Sequence, residues 1–318
     1  MSADGSAPEA APSLAQPRYL LPFLLVSLIW GGTWIIIKDQ LASVPPFWSI
    51  SYRFMVALAG MFLLARFRGQ PWGLPRSGWV IAGLMGLFQF FANFAFVYNA
   101  ERFVTSGLVA VMFALLMVPN AVLGKIYLGQ SISRGFVLGS LVAGLGIGLL
   151  FLHEWRDSPA GLWDVLAGAA LTGGGILTAS IANIVQATKR AAHLPLLTLL
   201  AWSMAIGMLL NAAVALIWFG LPQWDPRPGY ALGILYLGLL GSVATFPLYY
   251  PLVRTVGAGK AAYSSVLVPV VAMVLSTLFE GFEWTALAAS GAATAMIGML
   301  IALRARDPGR ITSPPKAP

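Results

Sequence analysis

Residues 98–130, YNAERFVTSGLVAVMFALLMVPNAVLGKIYLGQ, have a diverged second version at 250–281, YPLVRTVGAGKAAYSSVLVPVVAMVLSTLFEG. In each, a tyrosine (Tyr98, Tyr250) leads to an arginine four residues on (Arg102, Arg254). A loop of small residues follows, then an apolar helix with one proline, Pro119 or Pro269. Eleven positions beyond each proline stand Gln130 and Glu280. Further on, Gly139 and Gly146 match Gly291 and Gly298, each pair seven apart. Pro195 falls opposite Pro46 nearer the start of each copy. Self-similarity on this scale marks two copies of one structural unit.

Composition says what the unit is made of. Apolar residues are 58% of the 318 positions and charged residues 9%, where a soluble domain carries roughly a quarter charged. So few polar groups cannot coat a globular surface, and lipid must be the solvent for most of the chain. About 20 apolar residues cross the hydrocarbon layer. That rule predicts helices near 19–38, 47–66, 78–98, 106–124, 134–152, 162–187, 195–219, 230–252, 261–279 and 285–304. The runs are too long for barrel strands, and open backbone is not tolerated in lipid. The expected fold is an all-α polytopic membrane protein of ten transmembrane helices. The two repeats cover 19–155 and 156–305, between tails 1–18 and 306–318. Five is odd, so the second copy enters from the opposite side: two inverted-topology five-helix repeats around a central cavity.

The Ala-, Pro- and Ser-rich start lacks the short apolar core and cleavage site of a signal peptide, so the first helix is expected to stay in the mature chain. Charge sets the orientation. Of 19 Lys and Arg, Lys38, Arg102, Arg156 and Arg227 gather at one face and Arg53 falls inside a helix; all the rest gather at the other face. The basic face is cytoplasmic by the positive-inside rule, which puts both termini in the cytoplasm. This distribution, rather than nucleic-acid binding, accounts for the net charge of +8. With no cysteine, and with His153 and His193 in predicted loops, no metal site or cofactor is expected.

The motifs WGGTWIIIK (30–38), FWSISYRF (47–54), residues 98–119 and RTVGAGKAAYSSVLVP (254–269) resemble the EamA-type branch of the drug/metabolite transporter superfamily. The resemblance covers nearly all of 19–304, and within the branch it is greatest to the YddG group of amino-acid exporters. It implies a ten-helix bundle in a bacterial inner membrane, exporting small amphipathic metabolites through a central cavity.

Polar side chains inside spans are costly unless they face the bundle or a water-filled path, so they are the site candidates. The first helix offers Trp30, Trp34 and Lys38 at steps of four, beside Thr33 and the Gly31–Gly32 pair. The third offers Gln89 and Asn93 among Phe90, Phe94 and Phe96; the eighth, Ser242, Thr245 and Tyr249. The sixth adds Thr178, Asn183 and Gln186, and the ninth Tyr263 and Ser264. Substrate contact is assigned to Trp30, Thr33, Trp34, Lys38, Gln89, Asn93, Thr178, Asn183, Thr245, Tyr249, Tyr263 and Ser264. Structural alternatives stand beside this. Trp34 near a helix end serves equally as an interfacial anchor. Lys38 either snorkels to the outer face or draws a substrate carboxylate. Arg53 reads as a structural cap. Pro119 and Pro269 are paired bending points for alternating access. Gly144 and Gly148 form a GxxxG packing motif, and the run Thr172–Gly175 marks close packing.

No Asp or Glu falls firmly inside a span. That argues against proton exchange on a membrane-embedded glutamate and for facilitated diffusion or weak coupling. There is no paired cation to hold a phosphate, and no deep acid, base and nucleophile set of an enzyme. The remaining readings are an exporter of amino acids, aromatic ones included, an exporter of lipophilic organic cations, and a non-transporting scaffold. Ten helices can enclose a path within one chain, so the lipid bilayer and a small-molecule substrate are the expected partners, and a monomer suffices.

Overall fold

The computed structural model describes residues 16–157, 161–252 and 264–305, and these are helical with short connections. The helices are α1 (Pro17–Gln40), α2 (Pro46–Phe67), α3 (Arg76–Ala100), α4 (Ser106–Leu128), α5 (Arg134–Asp157), α6 (Leu162–Ala187), α7 (Leu196–Phe219), α8 (Pro228–Leu252), α9 (Ser264–Phe279) and α10 (Ala286–Arg304). Among the described residues, nine are long and apolar enough to cross a bilayer, and α9 carries a shorter apolar stretch, Leu267–Phe279. Side chains such as Leu138, Leu141 and Leu145 on α5 and Ile217 on α7 point outward, as helices in lipid require.

The expected spans are found with ends that differ by a few residues, most of them longer, and positions 261–263 of the ninth lie outside the described residues. One extension is a correction: α5 runs to Asp157, so His153 lies on a helix and not in a loop. It is held there because Nδ1 meets the Thr285 hydroxyl at 3.1 Å and the ring packs edge-on against Phe282.

Helix α5 pairs most extensively with α10, and small residues make the pairing possible. A Cβ on Gly139 would lie 2.2 Å from the backbone nitrogen of Ala302, and one on Gly146 2.2 Å from that of Ala295. Gly298 stands in the same relation to Ala143, at 2.1 Å. Residues seven apart recur on one helix face, and these are the duplicated glycines. Gly144 and Gly148, the expected packing motif, look into open space. Their four-residue spacing was right for a helix face, but it is the other face that meets α10.

The pairings run antiparallel. Gly139 and Gly146 meet Ala302 and Ala295 in reverse order. In α2 and α7, Phe47 meets Trp218 and Phe62 meets Trp202. Exchange of the two halves maps one contact onto another: α1 on α9 with α6 on α4, α1 on α8 with α6 on α3, and α2 on α8 with α7 on α3.

Two helices that correspond under that exchange carry a feature the apolar pattern does not signal. α3 is a π-helix over Gly86–Asn93 and α8 over Tyr236–Ala244. A π turn shifts the backbone bonding by one residue and recurs at functional sites. Side chains serve carbonyls in both segments: Asn211 Nδ2 donates to Phe90 O at 3.0 Å, Trp30 Nε1 to Gly241 O at 3.3 Å, and Ser242 Oγ to Leu237 O at 2.9 Å. In α4 a 3-10 turn, Ala114–Leu116, precedes Pro119, which cannot donate a backbone bond. By contrast α9 continues as one α-helix through Pro269.

Candidate functional site

A cavity of about 150 Å³ lies at the centre of the bundle, walled by α1, α2, α3, α4, α6, α8 and α9. Of the residues singled out from sequence, Trp30, Thr33, Trp34, Gln89, Asn93, Asn183, Tyr249 and Pro269 line it. Lys38, Thr178, Thr245 and Pro119 do not. Tyr263 and the side chain of Ser264 lie outside the described residues.

The aromatic wall is fixed by polar contacts behind it. Trp30 Nε1 donates to Thr245 Oγ1 at 3.0 Å, and its ring meets Tyr249 and Phe246 at 4.9 and 5.7 Å between centroids. Thr245 is therefore fully buried behind Trp30 and orients it. Trp34 is buried against Phe113, 5.2 Å between centroids, and is not an interfacial anchor. Gly31 and Gly32 do not line the cavity. They let neighbours approach: a Cβ on Gly31 would strike Val271 of α9 at 2.5 Å, and one on Gly32 the Tyr236 hydroxyl at 2.9 Å.

Across the cavity the π segment of α3 presents amides. Gln89 Nε2 approaches Asn93 Oδ1 at 3.5 Å, and Asn93 Nδ2 donates to Gly175 O at 2.8 Å. Asn183 Nδ2 lies 3.4 Å from Asn120 Oδ1. Thr178 bonds back to Gly174 O and Gly175 O of its own helix, which occupies its one hydroxyl proton. The glycines beside it admit rings, with Phe96 against Gly174 and Phe113 against Gly175.

Sequence reading undervalued Arg53. It lines the cavity yet is only 2% exposed. Its guanidinium lies over Phe94, 4.4 Å from the ring centroid, and near Phe54 at 5.5 Å, within cation–π range. Nε and Nη2 reach Ser242 Oγ only at 3.4 and 3.3 Å, the Tyr98 hydroxyl lies beside the group, and Nη1 has no hydrogen-bond partner among the described residues. Among the described residues no carboxylate forms an ion pair with it, although Glu101 lies within electrostatic reach, and a guanidinium with an unmet donor has the chemistry to take a further acceptor. Phe246 and Tyr250, the latter noted only as a landmark of the repeat, also line the wall without having been assigned to the site, since an aromatic in an apolar helix carries no sign of which way it faces.

Ile37, Val97 and Ala110 mark one end of the cavity, and a polar layer lies one helical turn beyond it. Lys38 Nζ donates to Glu101 O, and to Val104 O at 3.1 Å. It satisfies backbone carbonyls of the α3–α4 turn. Tyr98 Oη donates to Gln40 Oε1 at 3.3 Å. Glu280 accepts from Ser106 N and Oγ and from Ser276 Oγ, closing the N-terminus of α4 from the end of α9. Thr105 N donates to Glu154 Oε1 at 3.2 Å. Glu101 is fully buried in this layer, and burial pushes its carboxyl well above the usual carboxylate range. Further out, Asp225 accepts from Ser43 Oγ, Arg227 N and Arg227 Nε at 2.5–2.8 Å, and Arg227 also meets Asp39. The Ser43 hydroxyl and the Arg227 groups lower the Asp225 pKa to about 2.

Known proteins share this plan. A solved crystal structure superimposes with a TM-score of 0.68 at 19% identity, over 90% of this chain and 96% of that one, which shows the fold. Protein PagO of Salmonella typhimurium is 25% identical, over 90% of this chain and 92% of its own. A probable amino-acid metabolite efflux pump of Escherichia coli is 26% identical (87% and 92%), and the uncharacterized inner membrane transporter YedA of the same organism 27% (85% and 88%). The model of the EamA-like transporter family matches residues 18–152 and again 166–304. The chain is thus a multi-pass membrane transporter, not an enzyme, and it belongs to the EamA-like transporter family.

Proposed function

We propose that this transporter exports amino acids with apolar or aromatic side chains, and that Arg53 receives the substrate carboxylate. One observation carries the reading: a buried guanidinium whose Nη1 is unmet among the described residues, set in a cavity of aromatic rings and amides. The rings of Trp30, Trp34 and Tyr249 offer offset contact to an apolar side chain and cation–π contact to an ammonium group. The amides of Gln89, Asn93 and Asn183 offer hydrogen bonds. The name of the Escherichia coli relative, a probable amino-acid metabolite efflux pump, points the same way. The sequence offers Lys38 either as a snorkelling cation or as the group that draws a substrate carboxylate, but its ammonium is engaged with the α3–α4 turn. The guanidinium in the cavity also counts against lipophilic cations as substrates.

Alternating access would come from two inverted five-helix halves, 19–155 and 156–305, with both termini cytoplasmic in a bacterial inner membrane. The antiparallel pairing of α2 with α7 and α5 with α10 supports that arrangement. Pro119 and Pro269 remain proposed bending points. Facilitated diffusion was favoured because no acidic residue falls inside a span; Glu101, outside the spans yet fully buried, removes that ground.

Binding by the purified protein tests the substrate class. Tryptophan should bind, and tryptamine, which lacks the carboxylate, should bind at least tenfold more weakly. Equal or tighter binding of tryptamine refutes the role of Arg53.

A further inference from the structure

We propose that Glu101 is a proton-binding site that holds the Lys38–Glu101 end of the cavity shut, so that opening this end releases a proton to its side of the membrane. The functional consequence rests on the transporter reading above; the proton site itself does not.

Geometry carries the inference. Glu101 has no exposed surface, and both carboxylate oxygens are buried without a hydrogen-bond partner. An ionised carboxylate in that position is very costly, whereas a protonated one is an ordinary buried polar group. Lys38 tells the same story. Its ammonium is adjacent, yet it spends its donors on the backbone carbonyls of Glu101 and Val104. An ionised Glu101 would compete for them.

The titratable and charged groups around Glu101 come from several helices. Lys38 of α1 and Arg53 of α2 favour the carboxylate, while Glu280 at the end of α9 opposes it. Tyr98 of α3 also couples to it. Glu154, with His153 beside it on α5, stands behind Thr105 in the same layer. Burial outweighs the two cations, so the neutral acid is the form compatible with closure.

The chemistry is one proton transfer. When this end opens, water reaches the carboxyl, its O–H breaks, the proton leaves in the water, and the carboxylate is solvated within reach of Lys38. The closed state binds the proton more tightly than the open one. It is therefore unpenalised at low pH, and its penalty grows as pH rises past the ordinary glutamate value of about 4.3 towards the raised one. Linkage to one proton shifts the opening equilibrium by up to about tenfold per pH unit.

Infrared spectroscopy of the protein in liposomes, without substrate, tests the site. At neutral pH a protonated-carboxyl C=O band should be present, titrate away at higher pH and vanish in Glu101→Gln. Should that variant not fold, Glu154→Gln and Glu280→Gln must each retain the band. No such band in the wild type, or its loss in Glu154→Gln or Glu280→Gln, overturns the proposal. The consequence is read in flux: raising the pH on the Lys38–Glu101 side alone should speed transport several-fold in the wild type and not in Glu101→Gln. A pH response that survives Glu101→Gln contradicts the link. A band that behaves as stated in a protein that moves no amino acid supports the proton site and refutes only the substrate reading.

Discussion

A charge in a cavity lined by rings is worth more than one at the surface, because little water competes for it. Arg53 is held over Phe94 by cation–π contact, with one amino group unmet. Charge-assisted hydrogen bonds contribute about 1.5–3 kcal/mol each, so Arg53→Gln should lower tryptophan transport by about tenfold or more. Arg53→Lys should rescue little, since an ammonium cannot reproduce the planar fork. Full activity of Arg53→Lys in proteoliposomes would show that charge alone suffices. Behind the opposite wall, Thr245→Val removes the acceptor 3.0 Å from the Trp30 indole. The indole then keeps only its longer contact to Gly241 O at 3.3 Å, a loss of about 0.5–1.5 kcal/mol. The expected result is a raised KM for tryptophan, checked by flux against concentration. These residues differed in legibility. Trp30, Gln89 and Asn93 stood out because polar or amphipathic groups are rare in spans. Arg53 stood out equally, but apart from the adjacent Phe54 its partners lie on α3 and α8, far away in sequence, and only packing shows that rings rather than carbonyls surround it.

At the scale of the elements, close contact between α5 and α10 depends on four glycines. Gly139→Ala or Gly298→Ala drives a methyl into backbone and should destabilise the fold by about 1–3 kcal/mol. Gly144→Ala and Gly148→Ala meet nothing and should be neutral or slightly stabilising. Thermal unfolding in detergent separates the two sets. Duplication in the sequence pointed to the first pair, while the GxxxG pattern pointed to the second, because a spacing does not say which face a partner occupies. The loop pin at Asp225 predicts a pH response. Its native pKa lies below the ordinary aspartate value of about 3.9, so its contribution is present above that value and lost as pH falls towards about 2. Asp225→Asn should remove this acid sensitivity, measurable as unfolding temperature against pH. The π segments of α3 and α8 were not legible: Gln89, Asn93 and Ser242 mark them as polar but not as π-helical, and the carbonyls they expose are met by Asn211 and Trp30 on other helices.

For the whole molecule, the helix count, the duplication and the lipid-facing surface follow from composition and length, since a bilayer leaves few solutions. The cavity and the buried carboxylate do not, because both arise where turns and helices from the two halves meet. Glu101 reads as a loop residue until the turn is seen packed beneath Lys38. Orientation is open to direct test in a chain without cysteine. A single cysteine at Ala42 should be labelled from outside the cell and one at Ser131 only from inside; the reverse pattern would invert the topology.

The account stands most directly on tryptophan flux into liposomes holding the purified protein, measured beside tryptamine and beside Arg53→Gln. Saturable, protein-dependent tryptophan flux, well above that of tryptamine and reduced about tenfold or more by the substitution, is the expected result. Tryptamine flux equal to or above that of tryptophan, or tryptophan flux indifferent to Arg53, would contradict it.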